Sequence, residues 1–253
     1  METAVPTAPS VNPAEADFFG KLAADWWDPR GSSAMLHRIN PLRLGYIRAA
    51  AVARFGRGAT DRHALSGLRA LDLGCGAGLL TEPLARMGAS VTGLDAAADN
   101  IAVAKLHGAA GGLAIDYHGG SVEALAAGGT AAGKPQFDLI TCLEVIEHVA
   151  DRSSFLAALA SLLAPGGLLV MSTPNRTPLS YAMLIVGAER VVRNIPQGAH
   201  DWRRFMTPDE LTAALASAGL LMTDLTGLTW RPGAGFALGR DTSVNYLLTA
   251  VAA

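Results

Sequence analysis

Two kinds of hydrophobic pattern alternate along most of this chain. From residue 68 onward, short apolar runs typical of buried strands are followed by segments in which apolar residues recur every three or four positions, as on one helix face. The predicted strands are 68–73, 90–94, 113–118, 137–142, 168–173, 220–229 and 245–251, and the predicted helices are 79–87, 97–109, 121–127, 153–163 and 207–218. This alternation predicts an α/β fold with a mostly parallel, seven-stranded sheet covered by helices on both faces.

Two further helices are predicted before the first strand. One covers residues 14–28 and carries aromatic and leucine side chains at helical spacing, namely Phe18, Phe19, Leu22, Trp26 and Trp27. The other begins at Asn40, an N-cap residue followed by Pro41, and runs to about Phe55. Residues 1–13 are rich in proline and small residues, which predicts a disordered lead. Residues 14–253 form one predicted domain, with 14–56 as its N-terminal helical part.

An additional segment, 178–206, separates the fifth strand from a helix that opens with a capping box at Thr207 to Glu210. Its apolar residues recur at helical spacing and are Tyr181, Leu184, Ile185, Ala188, Val191, Val192 and Ile195. Arginines follow at 190, 193, 203 and 204. One interpretation is a helix lying in a membrane interface through residues 178–202. The other interpretation is a helix that packs on the sheet or covers the functional site.

The composition and charge of the chain exclude several classes of protein. Half of the 253 residues are hydrophobic, which allows a large core, and the net charge of −2 provides no general attraction for nucleic acid or membranes. No apolar run reaches the length of a membrane span, and residues 1–13 lack the features of a secretory signal. The two cysteines, Cys75 and Cys142, are interpreted as small core residues in a reducing cytosol, not as a disulfide. We therefore expect a cytoplasmic protein.

The most informative motif is a glycine-rich turn between the first predicted strand and the following helix. Asp72, Gly74, Gly76 and Gly78 alternate with other residues, and Asp95 ends the next strand. Glycines allow a sharp turn and close backbone approach of a ligand. An acid about 20 residues after the first glycine is at the spacing that reaches a nucleotide ribose. The motif predicts a nucleotide-type cofactor site. The single residue between Gly76 and Gly78 argues against the NAD fingerprint.

A second group of polar residues follows the fourth predicted strand. Glu144, Glu147 and His148 lie at positions i, i+3 and i+4, so a helix here would place all three on one face. Such a set could hold Mg²⁺, Mn²⁺ or Zn²⁺. Equally, it could be a helix start with acids near the positive end of the helix dipole and a partly buried histidine.

The order Asp-x-Gly-x-Gly-x-Gly resembles motif I of the class I S-adenosylmethionine (AdoMet) methyltransferases. The chain as a whole resembles the ubiquinone-biosynthesis O-methyltransferases. The matching blocks run nearly end to end and are Trp26–Asp28, Leu36–Ile47, Leu71–Gly78, Val91–Asp95, Ala104–His107, Thr141–Val149, Pro165–Gly167, Ser172–Arg176, Val186–Glu189 and Val244–Tyr246. The resemblance implies a Rossmann-like methyltransferase fold.

The resemblance also implies roles for individual residues. Asp72 would help hold the loop and the methionine end of AdoMet, and the glycines at 74, 76 and 78 would form the cofactor loop. Asp95 would take the ribose hydroxyls, Arg43 the methionine carboxylate, and Leu143 would lie near the adenine. Glu144, Glu147 and His148 would bind a divalent metal, usually magnesium, and would serve catalysis, with His148 alternatively acting as general base.

The function implied is methylation of phenol or catechol hydroxyls on polyprenylated ubiquinone precursors. The enzyme would be peripherally associated with the inner face of the membrane, within a possible ubiquinone-biosynthesis complex. A methyltransferase for a small soluble phenol and a non-catalytic AdoMet-binding scaffold are the alternatives. A nucleic-acid substrate is not expected, because the chain has no basic stripe and no aromatic–proline motif after the fourth strand.

Overall fold

A single eight-stranded sheet organises the molecule. The computed structural model describes residues 11, 14, 25–31, 33–128, 134–185, 201–231 and 233–253. The strands are β1 (Arg69–Leu73), β2 (Ser90–Asp95), β3 (Asp116–Gly119), β4 (Phe137–Leu143), β5 (Leu163–Pro174), β6 (Leu220–Arg231), β7 (Gly235–Gly239) and β8 (Asn245–Ala252). The helices are α1 (Ala34–Phe55), α2 (Thr81–Arg86), α3 (Ala98–Ala110), α4 (Val122–Ala127), α5 (Arg152–Leu162), α6 (Pro178–Ser180) and α7 (Pro208–Ser217).

The strand order is β3-β2-β1-β4-β5-β8-β6-β7. The first five strands in this order are parallel, and β8, β6 and β7 continue the sheet in antiparallel fashion. The order reverses between β1 and β4, so the carboxyl ends of these strands border the crevice in which open α/β sheets bind ligands. Both segments singled out in the sequence, the glycine turn and residues 144–148, begin at this edge.

Helices cover both faces of the sheet, as the pattern predicts. On β1, Leu71 and Leu73 belong to the core cluster that includes residues of α5 and α7, whereas Ala70 belongs to the cluster that includes Ile47 of α1 and Leu84 of α2. Alternate residues of one strand therefore pack in opposite layers. This is the reason that most residues of the central strands are apolar, with Asp72 of β1 and Thr141 of β4 as buried polar exceptions.

The sheet has one strand more than predicted. Strand β7 pairs with β6 from Gly227↔Gly239 to Arg231↔Gly235, so that the two form a hairpin at the sheet edge. Its sequence is short and contains two glycines, which weaken the strand pattern. The predicted turn at Pro165-Gly166-Gly167 lies where the register between β4 and β5 shifts.

The predicted start of α1 is wrong. The helix begins at Ala34, and Asn40 and Pro41 lie in its interior instead of at its N-terminus. The first turns carry Met35, Leu36 and Ile39, which pack with residues of β6, β7 and β8. Burial of these side chains offsets the hydrogen bond that Pro41 removes.

Several predictions fall outside the described residues. These are most of the lead 1–13, most of the predicted helix 14–28 and residues 186–200 of the segment 178–206. The described part of that segment consists of α6, the π-helical turn 181–185 that continues it, and the residues from Asp201 onward. Within the described part of the chain, no helix has the length and apolar character needed to cross a membrane.

Candidate active site at the carboxyl edge of the sheet

The glycine turn connects β1 to α2 and has left-handed backbone angles at Gly74 (φ 72°) and Gly76 (φ 52°). A Cβ atom on Gly74 would lie 2.3 Å from Val145 Cγ2, and one on Gly76 would lie 2.3 Å from Trp26. The lack of side chains at these two glycines therefore leaves room for two different neighbouring groups. At Gly74 it admits the turn after β4, and at Gly76 it admits an aromatic ring from the N-terminal segment.

Asp72 ties the glycine turn to its surroundings. Its carboxylate is buried and accepts hydrogen bonds from Thr81 Oγ1 at 2.6 Å and Thr141 Oγ1 at 2.8 Å. Burial raises the pKa of Asp72 to about 6, while the two threonine hydroxyls act in the opposite direction. The side chain thus links β1 to α2 and β4, as expected of a residue that holds the loop.

Asp95 closes the turn from the neighbouring strand. Its carboxylate accepts hydrogen bonds from the backbone N–H groups of Gly76 and Ala97, both at 2.8 Å, and from Asn100 Nδ2 at 3.3 Å. Burial raises the pKa of this carboxyl group, and these hydrogen bonds oppose the change. A carboxylate has about four acceptor positions, so Asp95 keeps acceptor capacity for a ligand hydroxyl.

Two adjacent tryptophans lie against the same turn. Trp27 Nε1 donates a hydrogen bond to the carbonyl of Ala77 at 3.0 Å, and its ring stacks on His107 with centroids 3.5 Å apart. The ring of Trp26 covers Gly76. His37 Nε2 lies 2.9 Å from the backbone oxygen of Trp26, which fastens this segment to α1.

The turn after β4 is not the helix that the spacing of its polar residues suggests. Glu144 has a left-handed backbone (φ 57°), and a short 3₁₀ helix follows over Ile146–His148. Glu147 is buried and accepts a hydrogen bond from Thr173 Oγ1 at 3.0 Å, whereas His148 is half-buried. Glu144, Glu147 and His148 therefore do not share one helix face.

Glu144 is already engaged by three side chains. Its Oε1 accepts hydrogen bonds from Arg43 Nη2 at 2.7 Å and Ser172 Oγ at 2.6 Å, and Asn245 Nδ2 lies 3.0 Å from Oε2. Arg43, which the resemblance assigns to the methionine carboxylate, is buried in α1, and its Nε has no hydrogen-bond partner in the described part of the chain. This cluster joins α1, β4, β5 and β8 beside Leu143, the half-buried last residue of β4.

This arrangement does not fit the magnesium site that the resemblance implies. The carboxylate of Glu144 is occupied by an arginine, a hydroxyl and an amide, and that of Glu147 receives a threonine hydroxyl. Among the described residues, no three histidine, cysteine, aspartate or glutamate side chains are grouped closely enough to hold a metal ion. We therefore derive no chemical step through a metal.

The far end of the segment 178–206 returns to this site. Arg204 Nη2 donates a hydrogen bond to the backbone carbonyl of His148 at 2.9 Å, and Arg152 donates to the carbonyl of Arg204. Trp202 Nε1 bonds the carbonyl of Thr177 at 2.9 Å, which holds the two ends of the segment together. The position of the His148 turn therefore depends on residues just before α7.

Sequence reasoning assigned no role to several residues that build the site. Thr81 and Thr141 hold Asp72, and Ser172 and Asn245 hold Glu144. All except Thr81 lie in the sequence blocks that carry the family resemblance. Their place in those blocks was the only hint in the sequence that they help to build the site. The two cysteines are buried and free, as predicted.

Comparison with known proteins agrees with this architecture. A family described as "Methyltransferase domain" matches residues 41–225. Among solved structures, magnesium protoporphyrin IX methyltransferase from Synechocystis PCC 6803 with bound S-adenosylhomocysteine (SAH) superposes with a TM-score of 0.60 at 20% identity, over 94% of this chain and 98% of that one. The same enzyme with bound AdoMet gives a TM-score of 0.59 at 19% identity, over the whole of both chains. The fold is therefore that of the class I methyltransferases.

Much closer similarity is found to ubiquinone biosynthesis O-methyltransferases. That of Methylobacterium sp. (strain 4-46) is 47% identical over 97% of each chain. The enzyme of Cereibacter sphaeroides (strain KD131 / KCTC 12085) is 49% identical over 96% of this chain and 97% of its own. Identity at this level over nearly the whole length of both chains confirms the resemblance inferred from the motifs: this protein belongs to the ubiquinone biosynthesis O-methyltransferase family.

Proposed function

We propose that this protein transfers a methyl group from AdoMet to a phenol or catechol hydroxyl of a polyprenylated ubiquinone precursor. The observation that carries the proposal is the glycine turn with Asp95 at its mouth, in a chain nearly half identical to enzymes of this name. The turn lies at the strand-order reversal, where ligands bind in open α/β sheets.

The cofactor contacts follow from the groups available around the turn. Asp95 retains acceptor capacity suited to ribose hydroxyls, and the side of Leu143 that remains accessible suits a flat base. Arg43 offers an Nε–H to which no described residue is hydrogen-bonded, and this supports its assignment to the methionine carboxylate. Asp72 acts indirectly, because both of its oxygens are used to hold the turn.

Bound AdoMet supplies a methyl carbon that the substrate oxygen attacks while the carbon–sulfur bond breaks. The phenol must lose its proton, and His148 is the general base that we propose, since it follows the carboxyl end of β4 and is half-exposed. The rest of the rate enhancement comes from positioning the oxygen in line with the methyl carbon. In this proposal Glu144 binds no metal. Its carboxylate instead holds Arg43 in position next to Ser172 of β5 and Asn245 of β8.

One assay tests the reaction and the substrate class together. Turnover of AdoMet is measured with a polyprenylated catechol and with the same catechol lacking its tail, each with EDTA and with added Mg²⁺. We expect turnover of the tailed substrate, and about equal rates under both metal conditions. Faster turnover of the tail-free catechol would favour the soluble-phenol alternative. Loss of activity in EDTA and its return with Mg²⁺ would contradict the metal-free assignment.

A His148→Ala variant tests the base. We expect kcat to fall by about 10²- to 10⁴-fold, the usual contribution of a general base. SAH affinity, measured by titration calorimetry, should change little because His148 does not build the glycine turn. Normal turnover with a large loss of SAH binding would refute this role.

We further propose that the enzyme works at the membrane surface through residues 178–202. A long isoprenoid tail partitions into lipid with about 0.8 kcal/mol per buried CH₂, so an enzyme at the bilayer meets its substrate there. The described start of the segment exposes Leu179 and Tyr181. Flotation with liposomes, compared for the full chain and a variant lacking 181–200, is the test. We expect only the full chain to float, and equal flotation would reject the proposal.

A further inference from the structure

The ring of Trp26 lies directly against the central glycine of the glycine turn. The free faces of the other two glycines in the motif are filled from within the fold, by Val145 at Gly74 and by Tyr117 at Gly78. The face of Gly76 is covered instead by Trp26, whose ring carbons lie 2.3–3.0 Å from the position that a Cβ would take. A side chain at the central glycine would therefore collide with this ring, in addition to straining the left-handed backbone there.

The indole N–H of Trp26 is buried and has no hydrogen-bond partner among the residues that the structure describes. Buried indole N–H groups normally find an acceptor, and leaving one without a partner costs about 1–3 kcal/mol. The neighbouring Trp27 satisfies its own N–H with the carbonyl of Ala77 at 3.0 Å. Of the two adjacent tryptophans, Trp26 is the one whose indole N–H lacks a partner among the described residues, and its ring lies on Gly76 of the proposed AdoMet site.

The segment that carries Trp26 is held in place independently of its ring. Backbone hydrogen bonds from Asp28 to Asp25 and from Gly31 to Asp28, at 3.1 and 2.9 Å, form consecutive turns. His37 lies within hydrogen-bond distance of the Trp26 backbone oxygen, and Trp27 stacks on His107 of α3. The backbone at Trp26 is therefore positioned by contacts that do not involve its own ring.

We propose that Trp26 is a cofactor-binding residue that closes over AdoMet on the glycine turn. Its ring covers one side of the bound cofactor, and its Nε1–H donates a hydrogen bond to a cofactor oxygen, either a ribose hydroxyl or the methionine carboxylate. Trp27 anchors the closing segment and makes no polar contact with the cofactor. This inference rests on the AdoMet site of the proposed function, but not on the methyl acceptor.

The matched variants Trp26→Phe and Trp27→Phe test the proposal in the full-length protein. Each keeps an aromatic ring and removes one indole N–H. SAH binding is measured by titration calorimetry, and the stability of the free and SAH-bound protein is measured by thermal unfolding. For Trp26→Phe we expect SAH to bind about three- to tenfold more weakly, the usual effect of one hydrogen bond. The free protein should be at least as stable as the unaltered protein, because the substitution removes a buried N–H that has no partner among the described residues.

For Trp27→Phe we expect a lower unfolding temperature of the free protein, because the internal hydrogen bond to the Ala77 carbonyl is lost. The SAH affinity of this variant should stay within about twofold of that of the unaltered protein. Equal SAH affinity of Trp26→Phe and the unaltered protein would overturn the proposal, as would equal weakening by both variants. If the unaltered protein itself bound no SAH, the proposed function would fail instead. If a Trp26→Ala variant folds, it should release SAH faster than the Trp26→Phe variant, because it lacks the aromatic ring that covers the cofactor.

Discussion

At the scale of single residues, this site is built from buried polar groups that hold one another. Asp72 is held by two threonines, and Glu144 is held by Arg43, Ser172 and Asn245. Each hydrogen bond lowers the cost of removing a carboxylate from water. The consequence is that the charge at these positions affects the stability of the fold.

Asp72 should make stability depend on pH. Its pKa is about 6 in the folded protein against an ordinary value of 3.8, so the protonated form favours the folded state. This stabilisation is complete below about pH 4 and is lost as the pH rises through 6, with on the order of 1 kcal/mol lost between pH 5 and 7.

Asp72→Asn should therefore show a shallower fall in the free energy of unfolding between pH 5 and 7 than the unaltered protein, by urea titration. Some dependence should remain, because burial also raises the pKa of Asp95. Identical slopes for the two proteins would contradict a raised pKa at Asp72.

Glu144→Gln separates the ion-pair role from metal binding. The amide keeps some hydrogen bonds but leaves the Arg43 guanidinium, only 4% exposed, without its counter-charge. Removing one member of a buried pair is strongly destabilising, and because Glu144 is 20% exposed we expect a smaller loss, about 1–3 kcal/mol in the free energy of unfolding. Urea unfolding in EDTA measures this. An unchanged or increased stability would indicate that the ion pair contributes nothing.

At the scale of elements, the site depends on segments far apart in sequence. The His148 turn is bonded by Arg204 from the segment before α7, and α1 reaches the site through Arg43. Helix α1 also shows the limit of local signals. Asn40-Pro41 has the form of a helix start, yet packing of the preceding turn against β6–β8 extends the helix back to Ala34.

Arg204→Ala should therefore disturb catalysis more than cofactor binding. Without its hydrogen bond to the His148 carbonyl, the proposed base is less well positioned, and we expect kcat to fall about tenfold with SAH affinity nearly unchanged. Arg203→Ala is the matched control, because Arg203 is the exposed neighbour in the same short helix. Equal activities of the two variants would show that this contact does not position His148.

At the scale of the whole molecule, the last strand holds the two parts of the sheet together. Strand β8 lies between β5 and β6, and Tyr246, Leu247 and Leu248 are fully buried. Deletion of residues 245–253 exposes both flanking strands, so we expect loss of cooperative thermal unfolding and of SAH binding. Deletion of only the exposed Ala252 and Ala253 should leave both intact. A folded, SAH-binding product of the longer deletion would contradict this view of the sheet.

The sequence alone determined the α/β class, seven of the eight strands, the glycine turn with Asp95, and the family. These features are local or periodic: strand and helix patterns reflect burial on defined faces, and left-handed turns favour glycine. Tertiary structure decided which polar groups meet. The pairing of Arg43 with Glu144, the left-handed backbone at Glu144 and the Trp26 ring over Gly76 join residues remote in sequence, and no spacing along the chain encodes such distances.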